Sequence, residues 1–165
     1  MFVLGIDPGL SVTGYGVVAD EGGRYRAVAA GAITTPVDLP LAARLCELSD
    51  DLEALLAQYR PAEVAIEQVF VNRNLQTATQ VGRASGVAIL AAGRAGLPVY
   101  EYTPSAVKMA VVGVGDAPKS QVQTMIARRL GLDTAPRPAD AADALAVALC
   151  HLQAAGARLA GRAGP

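Results

Sequence analysis

A chain of 165 residues has the length of one ordinary domain and can bury one full core. Its hydrophobic fraction of 52% against 18% charged residues excludes disorder over most of the length, and no apolar run reaches the roughly 18 residues of a membrane span. A net charge of −1 offers no overall attraction to nucleic acid or to a membrane surface. The chain opens with FVLGID, a short apolar run ending in Asp that reads as a buried strand. After a PGLS turn, TGYGVVAD alternates as a second strand, and EGG turns the chain into RYRAVAAGAI, a third. Three strands joined by short turns imply an antiparallel meander. From 40 to 59 the period changes to helical: Leu41, Leu45, Leu48, Leu52, Leu55 and Leu56 share a stripe, and Pro61 closes the segment. EVAIE (63–67) is a compact buried strand, Asn72 to Arg94 an Ala- and Gly-rich helix, and LPVYEY (97–102) a fifth strand. Thr103-Pro104 supplies a cap and first-turn proline for a short helix, and Ala117-Pro118 does much the same for the next. Residues 138–155 form the last helix, and 156–165 read as a flexible tail.

With no repeat or linker to split it, the order describes one domain over 1–155. It is an α/β fold: a mixed five-stranded sheet, made of the three-stranded meander plus parallel strands, with helices on both faces. That architecture is RNase H-like. With no Trp and few aromatics, the core must be built from Ala, Val, Leu and Ile. Cys46 and Cys150 both sit in apolar helical patterns and read as reduced core thiols. The N-terminus lacks the basic flank, long apolar run and cleavage site of a signal peptide, so a cytoplasmic protein without a membrane association is expected.

Charge is unevenly distributed. Between Asp38 and Glu67 seven acidic residues face only Arg44 and Arg60, whereas between Phe70 and Arg129 seven basic residues face only Glu101 and Asp116. Such asymmetry can build a positive face on a neutral protein, which a phosphate backbone requires, although a solvated helix surface has the same composition.

Two carboxylates end buried strands, Asp7 and Glu67. An acidic group there is costly unless it points into a wet cleft or meets a cation. Asp140 and Asp143, three apart in PADAADALAVAL, share a face in the first turn of the last helix. Each has a bland explanation taken alone: Asp7 is a turn former before Pro-Gly, and acidic residues suit a helix N-terminus. Glu67 has none, and four carboxylates converging from three elements are hard to ascribe to coincidence. All-oxygen ligands without a His or Cys cluster indicate Mg²⁺ or Mn²⁺ rather than zinc. His151 reads as a residue of the last helix's C-terminal turn rather than a ligand.

GIDPGLSVTGYGV, AIEQVF, VVGVGDAPKSQV and DAADALAVAL resemble, in order and spacing, the signatures of the RuvC family of Holliday-junction resolvases, from about Val3 to His151. The resemblance implies that Asp7, Glu67, Asp140 and Asp143 are the catalytic, metal-binding carboxylates. Some family members carry His at the position of Asp140. It also implies that Lys108 and Lys119 lie near the scissile phosphate and bound DNA, with Lys108 catalytic, and that Phe70 stacks on a base at the opened junction centre. Arg73 and Arg83, from the basic stretch, are further expected DNA contacts. A homodimer is implied, with four-way junction DNA and the RuvA and RuvB branch-migration proteins as partners. Two metal ions roughly 4 Å apart would then activate water and stabilise the leaving 3′ oxygen, producing 5′-phosphate and 3′-hydroxyl ends. GIDPGLSVTGYGV also resembles the phosphate-binding hairpin of actin-like ATPases and sugar kinases, but those need two related domains. A RuvC-like ribosomal RNA-processing nuclease shares the strand-end Asp and the fold but lacks the EQVF block. A non-enzymatic nucleic-acid-binding module conflicts with four intact carboxylates.

Overall fold

The computed structural model describes residues 1–68 and 74–162, with side chains to residue 157. Its elements run β1 (Phe2–Asp7), β2 (Val12–Asp20), β3 (Tyr25–Thr34), α1 (Leu41–Tyr59), β4 (Glu63–Glu67), α2 (Leu75–Arg94), β5 (Val99–Tyr102), α3 (Pro104–Val112), α4 (Lys119–Leu130) and α5 (Ala139–Arg162). The strands form one sheet in the order β3-β2-β1-β4-β5. β1, β2 and β3 make the antiparallel meander, while β4 runs parallel to β1 and β5 parallel to β4. This is the expected mixed, RNase H-like sheet.

Alternation along the central strands divides the interior into two layers. Val3 and Ala65 face a core completed by Val107 and Val111 of α3, Ile126 of α4, and Leu145 and Leu149 of α5. Leu4, Ile6, Val64 and Ile66 face the other, against Leu48, Leu52 and Leu56 of α1 and Ala84, Ala88 and Ala91 of α2. Helices therefore cover both faces. Each fully buried Leu or Ile contributes about 1.5–3 kcal/mol, which explains why the aliphatic-rich central strands carry both layers.

α5 lies unusually close to the sheet. A Cβ on Gly5 would collide with the Ala144 carbonyl, one on Gly14 with the Asp140 carbonyl, and one on Gly16 with the Leu145 side chain. These three glycines let the α5 backbone rest directly on β1 and β2.

Several expectations need correction. The α1 stripe buries Arg44, Leu48, Leu52 and Leu56, whereas Leu41 is exposed and Leu45 and Leu55 are half-buried. Cys46 lies off that stripe and is exposed, so it is not a core thiol; Cys150 is buried, and burial pushes its thiol up to about 11. α2 begins at Leu75, where the Asn74 side chain accepts from the Gln76 and Thr77 amides; the expected start at Asn72 lies outside the described residues. Pro118 stands at the cap of α4 rather than inside its first turn. Helix α5 continues to Arg162, past the expected end at 155. The tail AGARLAGRAGP reads as frayed, but Ala and Arg are themselves strong helix formers.

Candidate active site

β1 and β4 pair in parallel up to Ile6 and Ile66, so Asp7 and Glu67, the last residues of the two strands, stand beside each other at one end of the sheet. Both share strand parity with residues that face α5, Gly5 in β1 and Ala65 in β4. Asp7 also pairs with Gly14, against which the Asp140 carbonyl rests. Asp140 occupies the first turn of α5 and Asp143 the second, slightly deeper in the helix than expected. The fold thus brings together the four carboxylates from β1, β4 and α5.

The electrostatic consequence is large. Burial pushes the Asp7 carboxyl up to about 8, reinforced by the negative charge of Glu67, Asp143 and Asp140 and by a hydrogen bond to Glu67. Glu67 is also raised, first by burial and then by Asp143, against the Asp7 hydrogen bond and the positive charges of Lys119 and Lys108. Both carboxyls of the pair thus resist ionisation. Lys119 Nζ makes an ion pair with Asp143 Oδ2 at 2.5 Å. That bond raises the Lys119 ammonium above its ordinary range despite partial burial.

Lys108 of α3 and Lys119 of α4 line a cleft of about 220 Å³ with Glu67 and Asp143, walled by Pro104, Val107 and Val122. Local sequence sets the helix that carries Lys108. Thr103 caps α3 by accepting from the Ala106 amide, and Gly113 ends that helix in the left-handed region, φ 84°, where a side chain would be strained.

Among the described residues, no three His, Cys, Asp or Glu side chains converge closely enough to cage a cation as they stand. The donor set nevertheless fits one. It is all carboxylate oxygen, burial and mutual repulsion raise both the Asp7 and Glu67 carboxyls, and Asp143 has drawn an ammonium onto itself.

Other expected residues fall elsewhere. Phe70 and Arg73 lie outside the described residues. Arg83 is exposed in the middle of α2 and does not line the cleft. The basic stretch does not form a single face: Arg94 pairs with Glu53 of the acidic stretch at 3.9 Å, and Arg128 and Arg129 border a different recess with Arg24 and Arg26 of the β2–β3 hairpin. That hairpin is at the end of the sheet opposite Asp7. A larger, mostly apolar recess of about 560 Å³ lies between α1 and α2, on the far face of the sheet from α5.

Two features escaped the sequence reading. Arg44 is buried, donating to Thr35 Oγ1 at 3.0 Å and Ser11 Oγ at 2.9 Å, while Thr35 donates to the Leu10 carbonyl at 2.6 Å and Thr13 to that of Gly9 at 2.6 Å. Together they pin the loop that leaves Asp7. The available signal was phase: Arg44 precedes Leu48, Leu52 and Leu56 by steps of four. His151, expected in a C-terminal turn, is instead fully buried in mid-helix, hydrogen-bonded to Glu63 and Tyr102. Gly5, Gly14 and Gly16 of GIDPGLSVTGYGV serve helix packing rather than phosphate approach, since α5 occupies the space above them.

The sequence profile of the crossover junction endodeoxyribonuclease RuvC family matches residues 3–151. A crossover junction endodeoxyribonuclease RuvC from Syntrophomonas wolfei is 53% identical over 152 residues, covering 92% of this chain and 88% of that protein. One from Heliobacterium modesticaldum is 54% identical over 150 residues, covering 91% of this chain and 93% of that protein. The solved structure of Thermus thermophilus RuvC in complex with a Holliday junction substrate superposes with a TM-score of 0.89 at 41% identity, covering 94% of each chain.

Proposed function

Since the chain belongs to the RuvC family of crossover junction endodeoxyribonucleases, we propose that it resolves Holliday junctions with the site formed by Asp7, Glu67, Asp140 and Asp143. The observation that carries this reading is the meeting of four carboxylates from β1, β4 and α5 beside a cleft holding two lysines. The family's enzymes are metal-dependent nucleases. Asp7, Glu67, Asp140 and Asp143 would hold Mg²⁺ or Mn²⁺, two ions per site, which supply a water nucleophile at neutral pH and offset charge at the scissile phosphate.

The chain's own groups do the rest. Lys108, on the cleft wall, offsets negative charge developing on the phosphate. Lys119 leaves Asp143 to meet the DNA backbone. Phe70 stacks on an unpaired base, a contact that contributes about 1–3 kcal/mol in single-strand binding, and Arg73 and Arg83 add phosphate contacts. Hydrolysis leaves a 5′-phosphate and a 3′-hydroxyl, ends a ligase can reseal.

The protein works as a homodimer, since paired nicks on opposite strands need two sites related by a twofold axis. The outer face of α2 supports this: Ile89 and Leu90 are exposed, and nothing stands above Gly82 or Gly86, so a second helix could approach closely. RuvA and RuvB are its partners in the cytoplasm. Among the described residues no helix is long and apolar enough to cross a membrane.

Cleavage of a synthetic four-way DNA junction, beside linear duplex and single-stranded RNA, tests the assignment. Paired symmetric nicks in the junction with Mg²⁺ or Mn²⁺, and none with chelator, are expected. Equal cutting of plain duplex, or preference for the RNA, would overturn it.

A further inference from the structure

We infer that a buried hydrogen-bonded chain, Glu63–His151–Tyr102, is a positioning device for the carboxylate site, fixing Glu67 and α3 against α5; this rests on the reading of that site given above.

His151 is the protein's one histidine and is completely buried. Its Nε2 lies 2.5 Å from Glu63 Oε2 and its Nδ1 2.8 Å from the Tyr102 hydroxyl. The ring also packs against Tyr100, with centroids 4.6 Å apart. A carboxylate can only accept, so Nε2–H donates to Glu63, while the Tyr102 hydroxyl, which can donate or accept, pairs with Nδ1. An apolar residue would fill the same space without needing two distant partners. What an apolar residue lacks is direction.

Direction matters because the surface beneath α5 is smooth. Gly5, Gly14 and Gly16 face Asp140, Ala144, Leu145 and Ala148, so few side-chain knobs oppose sliding or rotation of the helix. Interlocking side chains are what single out one packing among several of similar energy. The histidine bonds supply that register, tying α5 to β4 and β5.

The chain connects directly to both sides of the cleft. His151 lies eight residues after Asp143 on α5, about 2.2 turns on and rotated by about 80°, within the broad face that the helix turns to the sheet. At the other end, Tyr102 pairs in register with Glu67, and its carbonyl accepts from the Gln68 amide at 2.8 Å. The next residue, Thr103, caps α3, the helix that carries Lys108. Releasing the Tyr102 hydroxyl would therefore loosen the strand edge beside Glu67 and the start of α3 together. None of the three residues lines the cleft itself.

The test uses the full chain with Tyr102→Phe, Glu63→Leu and Glu63→Gln, each studied well below its own melting temperature. Mn²⁺ affinity without DNA is measured by calorimetry, alongside the single-turnover cleavage rate and junction affinity. Tyr102→Phe and Glu63→Leu should weaken Mn²⁺ binding and slow cleavage by about tenfold, as loss of an outer partner of a metal site does, with junction affinity within about twofold of the parent. Glu63→Gln, which still accepts from Nε2, should recover most of both. Variants that melt lower but keep the parent's Mn²⁺ affinity and rate would show a merely structural chain and overturn the inference. So would a loss of junction affinity as large as the loss of rate. A parent protein that neither binds Mn²⁺ nor cleaves overturns the carboxylate reading itself, and is told apart from those outcomes by the parent alone.

Discussion

Lys119 Nζ sits 2.5 Å from Asp143 Oδ2, so the chain supplies its own cation to one of its four converging carboxylates. A divalent ion and the DNA phosphate must each displace this contact. Lys119→Met should therefore bind Mn²⁺ more tightly in the absence of DNA, yet bind junction DNA more weakly. Its slope of log affinity against log salt should flatten by about 0.9, the value of one duplex phosphate contact. Lys108→Met makes a matched control, because no ion pair of Lys108 occurs among the described residues. It should lower cleavage while changing Mn²⁺ affinity less than Lys119→Met does. Calorimetry and salt titration of both variants decide the matter, and equal Mn²⁺ affinities would show that the Lys119 contact does not compete with metal.

Asp7→Asn, Glu67→Gln and Asp143→Asn should each reduce cleavage at least 1000-fold in order of magnitude, with junction affinity unchanged or slightly raised. Each removes a ligand charge and also a source of repulsion against phosphate. Asp140→Asn should retain measurable activity, since the family resemblance implies that this position tolerates a residue other than Asp. Gel-shift and nicking assays on the same preparations separate the two effects. Binding that fell in step with cleavage would contradict the assignment of these residues as ligands.

Burial and neighbouring charge hold the Asp7 carboxyl at about 8 in the folded protein, against an ordinary value near 4. A raised carboxyl favours the proton-bound fold, so its contribution to stability is full below pH 4 and is lost as pH rises toward 8. In chelator, the parent should therefore lose thermal stability between pH 5 and pH 8. Asp7→Asn cannot ionise and should escape that loss. The difference in melting temperature between the two should widen by roughly 5 °C or more over this range. Mn²⁺ should narrow it at pH 8 by stabilising the ionised parent. A gap that stayed constant with pH would rule out the proposed ionisation penalty.

Gly14→Ala places a Cβ against the Asp140 carbonyl, where backbone must move. A loss of about 1–3 kcal/mol is expected, with cleavage falling further than that loss explains because Asp140 moves with the helix. Gly156→Ala on the same helix has open space around its Cβ. That variant should gain up to about 1 kcal/mol from helix propensity and cleave normally. Chemical denaturation with parallel nicking assays compares the pair, and full activity in Gly14→Ala would show that α5 tolerates displacement at its start.

Local chemistry made much of this protein legible from sequence. An acidic residue closing an apolar strand is conspicuous wherever it occurs, so Asp7 and Glu67 stood out before their adjacency was known. Thr103-Pro104 announced its helix because a cap acts within a few residues. Alternation and helical period located the strands and helices, from which a mixed sheet with helices on both faces followed. The rest depended on partners far along the chain. Arg44 looked like one cation in an acidic stretch until Ser11, 33 residues away, and Thr35 closed around it. Cys46 looked apolar among leucines, and only the side of α1 turned to the sheet showed it to be outside. His151 reads as an ordinary helical residue because its partners Tyr102 and Glu63 lie 49 and 88 residues away. The burial of a polar group is decided by whether a distant segment can satisfy it, and no local pattern records which segment that will be. Lys119 and Asp143 follow the same rule: each charge was visible in the sequence, but their contact required α4 and α5 to be packed on the same face of the sheet.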